Sequence, residues 1–448
     1  MRSAQRPYVS IPFLLSLLLL ASLSASIATG QTEITLHEFT GGVDGSLPFG
    51  GLTSDGQGNY FGVTNGEDGT FGTIFELSAT GGGDWNLTTL YTFQGGLDGN
   101  APTATLVRDA SGNLYGATTT GGNGTSSACN TGTGQFGCGT VFELSPDGNG
   151  GWQKTTLYQF QGIVGRVGDG LFPSGPLVLD SAGNLYGTTA LGGGGPCAQQ
   201  GCGTVFELSP SAGGWTETII AKFRGGSGGD AGAAPEAGVI FDAAGNLYGT
   251  TINGGSNNAA CLPEGCGTVF KMTPKNGGGW SVIPLFTFRG GNGAFPASPL
   301  VIDRTGALYG VARGGSANGG VVYKLAPSSG EWNETVLVQF KGPNGSLPSG
   351  PLVFDENGNL YGATGYGGTD KLCFGAIRGC GLIFKLSPST SGSSSGSWTE
   401  TILYRFAGEA DGTYPNAPLI FDSRGNLYGV ASTGGSFGFG TVFEIAAQ

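Results

Sequence analysis

A single histidine, His37, serves the whole chain of 448 residues. Imidazole chemistry is therefore all but excluded: no Ser-His-Asp or Cys-His arrangement and no histidine-rich metal site has its residues here. His37 itself aligns with Tyr91, Tyr158, Phe286 and Tyr404, so a packed position is expected for it rather than catalysis. Charge is scarce too. Lys and Arg number 19 against 31 Asp and Glu, a net charge of −12 that becomes −14 once Arg2 and Arg6 are set aside with the leader. An acidic, lightly charged chain repels phosphate backbones and anionic lipid, which excludes nucleic acid and membrane surfaces as partners. There is no C-x-x-C pair for thiol redox work, no helical periodicity, and no second apolar run after residues 11–23.

That one run belongs to the leader. Arg2 and Arg6, the apolar stretch and the small residues around Ala25–Gly30 read as a secretory signal peptide over residues 1–30. A membrane anchor is the alternative, but the run is short of the ~20 residues a span needs. The expectation is a soluble, secreted domain over 31–448.

What is present in excess is glycine, 91 residues. The glycines recur at set places beside aromatic and β-branched residues, which is the pattern of short strands joined by tight turns rather than of disorder. Seven segments share one pattern. An apolar strand ends in Asp, as in LVLD at 177–180 and LIFD at 419–422. A second strand follows, as in GNLYGTT at 183–189. A third reads GTVFELSP at 139–146 and 203–210. The fourth is W-x7-F, and its first residues are all six tryptophans: Trp85, Trp152, Trp215, Trp280, Trp332 and Trp398. The second-strand glycines Gly62, Gly116, Gly187, Gly249, Gly310, Gly362 and Gly429 are 54, 71, 62, 61, 52 and 67 residues apart. Four strands per unit at that spacing is the signature of a β-propeller blade.

We call the strands a, b, c and d. The stretch QTEITLHEF, Gln31 to Phe39, aligns with WTETILYRF, Trp398 to Phe406, with Gln31 in the place of tryptophan. The chain thus begins with d alone, runs through six a-b-c-d units and ends with a-b-c. A ring gives a physical reason for that division: residues 31–39 complete the last sheet and leave no unpaired edge. The expected fold is all-β, a seven-bladed propeller with four antiparallel strands per blade, latched by the N-terminal strand. A β-solenoid is the second choice.

GNLYGTT, a Gly-rich loop, GTVFELSP and then GGW-x-ET resemble the GloVer-type tandem repeat of secreted bacterial proteins, a family named for a choice of C-terminal anchor. The resemblance covers essentially all of 31–448. It implies a secreted or surface protein of bacterial origin. The chain ends at Gln448 just after strand c, without the sorting tail of anchored members, which favours release. The family assigns no catalytic residues, so none is carried over.

Several residue sets invite a functional reading. Asp55, Asp109, Asp180, Asp242, Asp303, Asp355 and Asp422 each sit in a D-x-x-G turn between a and b; a turn role is expected, since calcium needs 6–8 oxygen ligands. Eight cysteines form four local pairs in the b–c loops: Cys129 with Cys138, Cys197 with Cys202, Cys261 with Cys266, and Cys373 with Cys380. They are expected as disulfides. The d–a loops carry Asp44, Asp98, Asp169, Asp230, Asn292, Asn344 and Asp411 on the same face. They are turn formers by composition, yet a ring of acceptors at a channel mouth would suit a sugar or a cation. Just before the Gly-Gly of the b–c loop stand Thr120, Leu191, Asn253, Arg313, Tyr366 and Thr433, with Glu67 and Asp68 in the first blade. Arg313 and Tyr366 are the ligand-binding candidates among them. The slot Glu76, Glu143, Glu207, Lys271, Lys324, Lys385 and Glu444 on strand c reads as a solvated outer face.

The function expected is a secreted, non-catalytic binding or interaction propeller, monomeric, recognising a glycan or a surface protein through the cysteine-bearing face. No cofactor or metal is called for, although calcium would suit the acidic loops. The alternative is a carbohydrate-active lyase, lactonase or glycosidase using carboxylates at the channel mouth.

Overall fold

The computed structural model describes residues 31–447, apart from 67–68, 125–126, 130–136, 165–166, 196, 198–199, 226–231, 256–260, 262, 315–318, 369–371, 374–376 and 390–396. Residues 31–448 form one compact unit. They make seven four-stranded antiparallel sheets arranged in a ring, each in the order a-b-c-d. Blade 3 shows the plan: a is Leu171–Leu179, b is Leu185–Leu191, c is Thr204–Ser211 and d is Gly214–Lys222. Strands b and c are buried almost throughout, while d alternates exposed and half-buried residues because it is outermost.

The last blade is built from both ends of the chain. Its a, b and c strands are Ile420–Phe421, Leu427–Ala431 and Thr441–Ile445. Its d strand is Glu33–Glu38, paired antiparallel from Glu33 opposite Ile445 to Glu38 opposite Thr441. The latch even carries the irregularity of the other blades. The register shifts between Thr35 and His37, as it does between Thr156 and Tyr158 in blade 2. The extra residue is apolar in each, Leu36 and Leu157, and the bulge turns it toward the core without losing the ladder on either side.

Three contacts recur at the interfaces between blades. The Phe that ends W-x7-F meets the central aromatic residue of the next blade's c strand. Phe93–Phe142, Phe160–Phe206, Phe223–Phe270, Phe288–Tyr323, Phe340–Phe384 and Phe406–Phe443 have centroids 5.0–5.3 Å apart. Phe39–Phe75, at 5.4 Å, is the seventh and joins the last blade to the first. Each such pair adds about 0.5–1.5 kcal/mol beyond its area burial. Each Trp lies against the b strand of the preceding blade, for example Trp280 against Tyr186 at 6.3 Å and Trp398 against Tyr309 at 6.0 Å.

The third contact is a backbone staple. Leu47, Ala101, Phe172, Ala234, Phe295, Leu347 and Tyr414 each precede a proline and each has φ between 55° and 61°. That conformation costs on the order of 1 kcal/mol or more for a residue with a Cβ. It turns each N–H toward the preceding blade. Phe172 donates to the Cys138 carbonyl at 2.9 Å, Ala234 to Cys202 at 2.8 Å, Tyr414 to Cys380 at 3.0 Å and Leu47 to Phe439 at 3.0 Å, the last closing the ring. The proline that follows packs on the glycine before strand c, as Pro173 on Gly139 and Pro48 on Gly440. A side chain at those glycines would collide with the proline ring, so the G-C-G spacing is a docking surface for the next blade.

Candidate functional site

The d–a and b–c loops share one face of the disc, and the structure places the sequence candidates there individually rather than as one cluster. Asp44 accepts from the Thr40 N–H at 2.9 Å and the Thr40 hydroxyl at 2.6 Å. Asp98 accepts from the Gln94 N–H, Asp169 from those of Gln161 and Gly162, and Asp411 from those of Ala407, Gly408 and Glu409. Asn292 and Asn344 accept from Arg289 and Lys341 in the same way. A side chain of the preceding d strand adds another bond: the hydroxyls of Tyr91, Tyr158 and Tyr404 donate to Asp98, Asp169 and Asp411 at 2.8–2.9 Å. His37 takes the tyrosine's part in the latch, with Nε2 3.2 Å from Asp44. Burial pushes the Asp44 carboxyl upward, but the bonds from Thr40 and His37 outweigh it and hold the group below the ordinary aspartate value. These oxygens lock the turns. Asp230 lies outside the described residues, as do Glu67 and Asp68.

At five interfaces the same side chains face a polar residue of the next blade. The third residue of the following d strand points at the loop. Lys154 forms an ion pair with Asp98 at 2.7 Å. Where that residue is glutamate and the loop carries asparagine, the amide donates: Asn292 to Glu334 at 3.0 Å and Asn344 to Glu400 at 2.9 Å. In two places glutamate lies within reach of an aspartate's charge, Glu217 of Asp169 and Glu33 of Asp411. Burial first, and the like charge after it, push both glutamates up to about 7.

The a–b turns on the opposite face behave as turns. Asp109 accepts from the N–H groups of Ser111 and Asn113, from the Asn113 amide and from the Tyr115 hydroxyl. The Glu/Lys slot on strand c is not a solvated face. Its residues are half-buried, and Lys271, Lys324 and Lys385 lie over Tyr248, Tyr309 and Tyr361 at 5.2–5.4 Å, because a blade interface covers that side of strand c.

All four cysteine pairs are disulfides, Cys129 with Cys138, Cys197 with Cys202, Cys261 with Cys266 and Cys373 with Cys380, with Cα atoms 4.9–5.4 Å apart. Each closes its own b–c loop. The second cysteine of each pair, Cys138, Cys202, Cys266 or Cys380, carries the carbonyl that receives the next blade's N–H. Cys202 is fully buried, and its sulfur packs with that of Cys197 under Gly225 of the d–a loop. In blades 1 and 7, Phe71 and Phe439 stand where that cysteine would be and pack under the same loop, against Gly95 and Gly41. The disulfide is thus one of two plugs for a single cavity.

The face does break its symmetry, at the innermost strand. The residue after each d–a proline is Phe49, Thr103, Ser174, Glu236, Ala297, Ser349 or Asn416. These seven equivalent positions stand at one level of the wall of the central channel. Glu236 is the one acid among them. Its neighbour in the field of charge is Arg313 of the next blade: burial raises the Glu236 carboxyl and Arg313 partly offsets the rise. Arg313 does not stand level with Thr433, as counting back from Gly-Gly suggests. Gly314 pairs with Ala294 as Thr433 pairs with Thr413, so Arg313 matches Ser432, one place nearer the channel. Arg313 Nε, Ser174 Oγ and Ser349 Oγ are buried with no hydrogen-bond partner among the described residues. Tyr366, the other candidate, packs against Tyr414 with centroids 5.0 Å apart, and both rings are half-buried at the same mouth. Among the described residues no three of His, Cys, Asp and Glu gather closely enough to hold a metal ion.

A family model for the Gloeobacter/Verrucomicrobia repeat matches residues 124–262 and 194–443, which together span 443 − 124 + 1 = 320 residues. The chain belongs to that family. Among solved structures this Gloeobacter/Verrucomicrobia repeat protein is similar to one described as a putative gluconolactonase, at 15% identity and a TM-score of 0.38, covering 75% of this chain and 89% of that one. It is also similar to a gluconolactonase of Xanthomonas campestris, at 14% identity and a TM-score of 0.35, covering 68% and 77%. No curated protein matches. Glu236 was not among the sequence candidates of this repeat protein. The signal was there, the one charged residue in a column otherwise uncharged, but the charge of Arg313 reaches it only through the packing of blade 4 on blade 5.

Proposed function

We propose that this protein is a secreted, non-catalytic binding propeller that recognises a glycan through the face carrying the d–a and b–c loops. The observation that carries the reading is the opposite charge of Glu236 and Arg313 on adjacent blades. A carboxylate and a guanidinium on adjacent blades lie within reach of each other's charge, with the Ser174 and Ser349 hydroxyls at the same level and Tyr366 packed on Tyr414 at the mouth. Adjacent donors and acceptors beside aromatic rings match the neighbouring hydroxyls and apolar face of a sugar. A lone carboxyl in the ring of seven supports binding rather than the two-carboxylate hydrolysis of a glycosidase. The four disulfides belong to an oxidising compartment, in keeping with residues 1–30 acting as a signal peptide.

The test is a glycan array with the purified protein, followed by melting curves with each hit, with calcium and with a chelator. Hits that vanish in Ala297→Trp, which fills the channel mouth, support the reading. Hits that survive that variant, or an array on which nothing binds while a surface protein does, refute it. Edman sequencing of secreted material beginning near Gln31 would establish the leader's removal.

A further inference from the structure

Six of the seven d strands begin with a tryptophan laid against the preceding blade; the latch begins with Gln31. Every tryptophan has an aromatic partner on the b strand before it, at 5.9–6.4 Å, from Trp152 on Phe61 round to Trp85 on Tyr428. The b-strand residue left over is Tyr361 of blade 6. Its described ring neighbours are Phe421 at 5.0 Å and the Lys385 ammonium at 5.4 Å. A groove of about 710 Å³ opens there between blades 6 and 7, lined by Gln31, Tyr361, Lys385, Leu403, Leu427 and Ile445 among others. At the next interface, where Trp85 is in place over Tyr428, the corresponding groove holds about 430 Å³. Gln31 is held at the slot by its N–H, which donates to the Leu403 carbonyl at 2.9 Å. Its side-chain Oε1 is buried and has no hydrogen-bond partner among the described residues.

We infer that this groove is a binding site for a planar aromatic ring carrying an N–H or O–H donor, an indole above all. The ring meets Tyr361 edge to face, as the six tryptophans meet their partners, and its donor reaches Gln31 as that side chain turns toward the groove. Three features favour it. The volume falls in the range of small-molecule sites. Tyr361, Phe421, Leu403 and Ile445 give the slot an apolar floor, and Asp355, Asn357 and Arg424 give it a polar rim, a lining that suits a ring carrying a polar N–H or O–H. A buried acceptor without a partner gains a hydrogen bond when a donor arrives. Lys385 lies beside Tyr361 as Lys324 and Lys271 lie beside Tyr309 and Tyr248 in the interfaces that have their tryptophan, so the slot keeps the same surroundings. The site is on the opposite face from the channel mouth and stands independently of the glycan reading.

The ring could come free or as the side chain of a partner's tryptophan. Calorimetric titration of the purified protein with indole and with N-acetyl-tryptophanamide separates the two. Binding of both means that a chain-borne tryptophan fits; binding of indole alone means that only a free ring does. Gln31→Trp fills the slot with the residue that the other six blades use. It is expected to weaken both titrations at least tenfold and to raise the melting temperature. Tyr361→Leu removes the aromatic surface and is expected to weaken binding at least fivefold, whether or not the first variant folds. Absence of indole binding to the wild-type protein, or binding unchanged in Gln31→Trp, overturns the inference.

Discussion

The two raised glutamates make a prediction that can be worked through in numbers. Glu33 and Glu217 are each raised from 4.5 to about 7. A raised carboxyl pKa means that the folded state holds the proton more tightly than the unfolded chain. The two states are balanced below pH 4.5. Folding then loses stability as pH climbs from 4.5 to 7, and the loss is complete above 7. At 1.36 kcal/mol per pH unit the shift amounts to about 3.4 kcal/mol for each group. Both side chains are half-buried and water screens them, so we take less than half of it, about 1.5 kcal/mol each and ~3 kcal/mol for the pair. The perturbation is the double variant Glu33→Gln, Glu217→Gln. An amide can donate to the facing aspartate, which reproduces with the partners exchanged the contact that Asn292 makes with Glu334. Urea denaturation at pH 5 and pH 8 reads the effect. The variant should match the wild type at pH 5 and exceed it by ~3 kcal/mol at pH 8. The lowered aspartates, Asp44 and Asp98 among them, lose their contribution only as pH falls below about 4, outside this window. Equal pH slopes for variant and wild type would show that neither burial nor the nearby aspartate raises the two glutamates.

Other outcomes follow from the same packing. Phe39→Ala should cost about 3–5 kcal/mol in urea melts, as much as Phe93→Ala, because both occupy the same aromatic interface; a loss under about 1 kcal/mol would mean that the latch does not close the ring. Lys154→Ala leaves Asp98 half-buried and without its cation, and should cost about 3 kcal/mol. The double change Asp98→Asn, Lys154→Glu installs the pairing of blades 5 and 6 and should recover most of that loss. Reducing agent should lower the melting temperature, with about 2–3 kcal/mol lost for each disulfide opened. Cys266→Phe with Cys261→Ala, which substitutes the plug of blades 1 and 7, should lose less than Cys266→Ser with Cys261→Ser.

Blade number, strand order, the divided last blade and the cysteine pairing were all legible in the amino-acid sequence. The reason is that each is a local or periodic property. Alternation and turn residues mark a strand within ten residues, W-x7-F marks its edge, and a repeat that begins with its own fourth strand implies closure. Cys197 and Cys202 could be paired from the sequence because they share one loop; that Cys202 also receives the Ala234 N–H of the next blade could not. The vacancy at Gln31 was visible in the same way as the repeat, as a gap in an aligned column. What the tertiary structure alone decided is which residues meet across an interface. Lys154 pairs with Asp98, Glu334 receives Asn292 and Glu400 receives Asn344 although they are 56, 42 and 56 residues apart. The loops between strands differ in length from blade to blade, so sequence distance does not report those meetings. They are set by how one sheet is rotated against the next, which depends on the proline, glycine and phenylalanine contacts between blades and on the circle being closed.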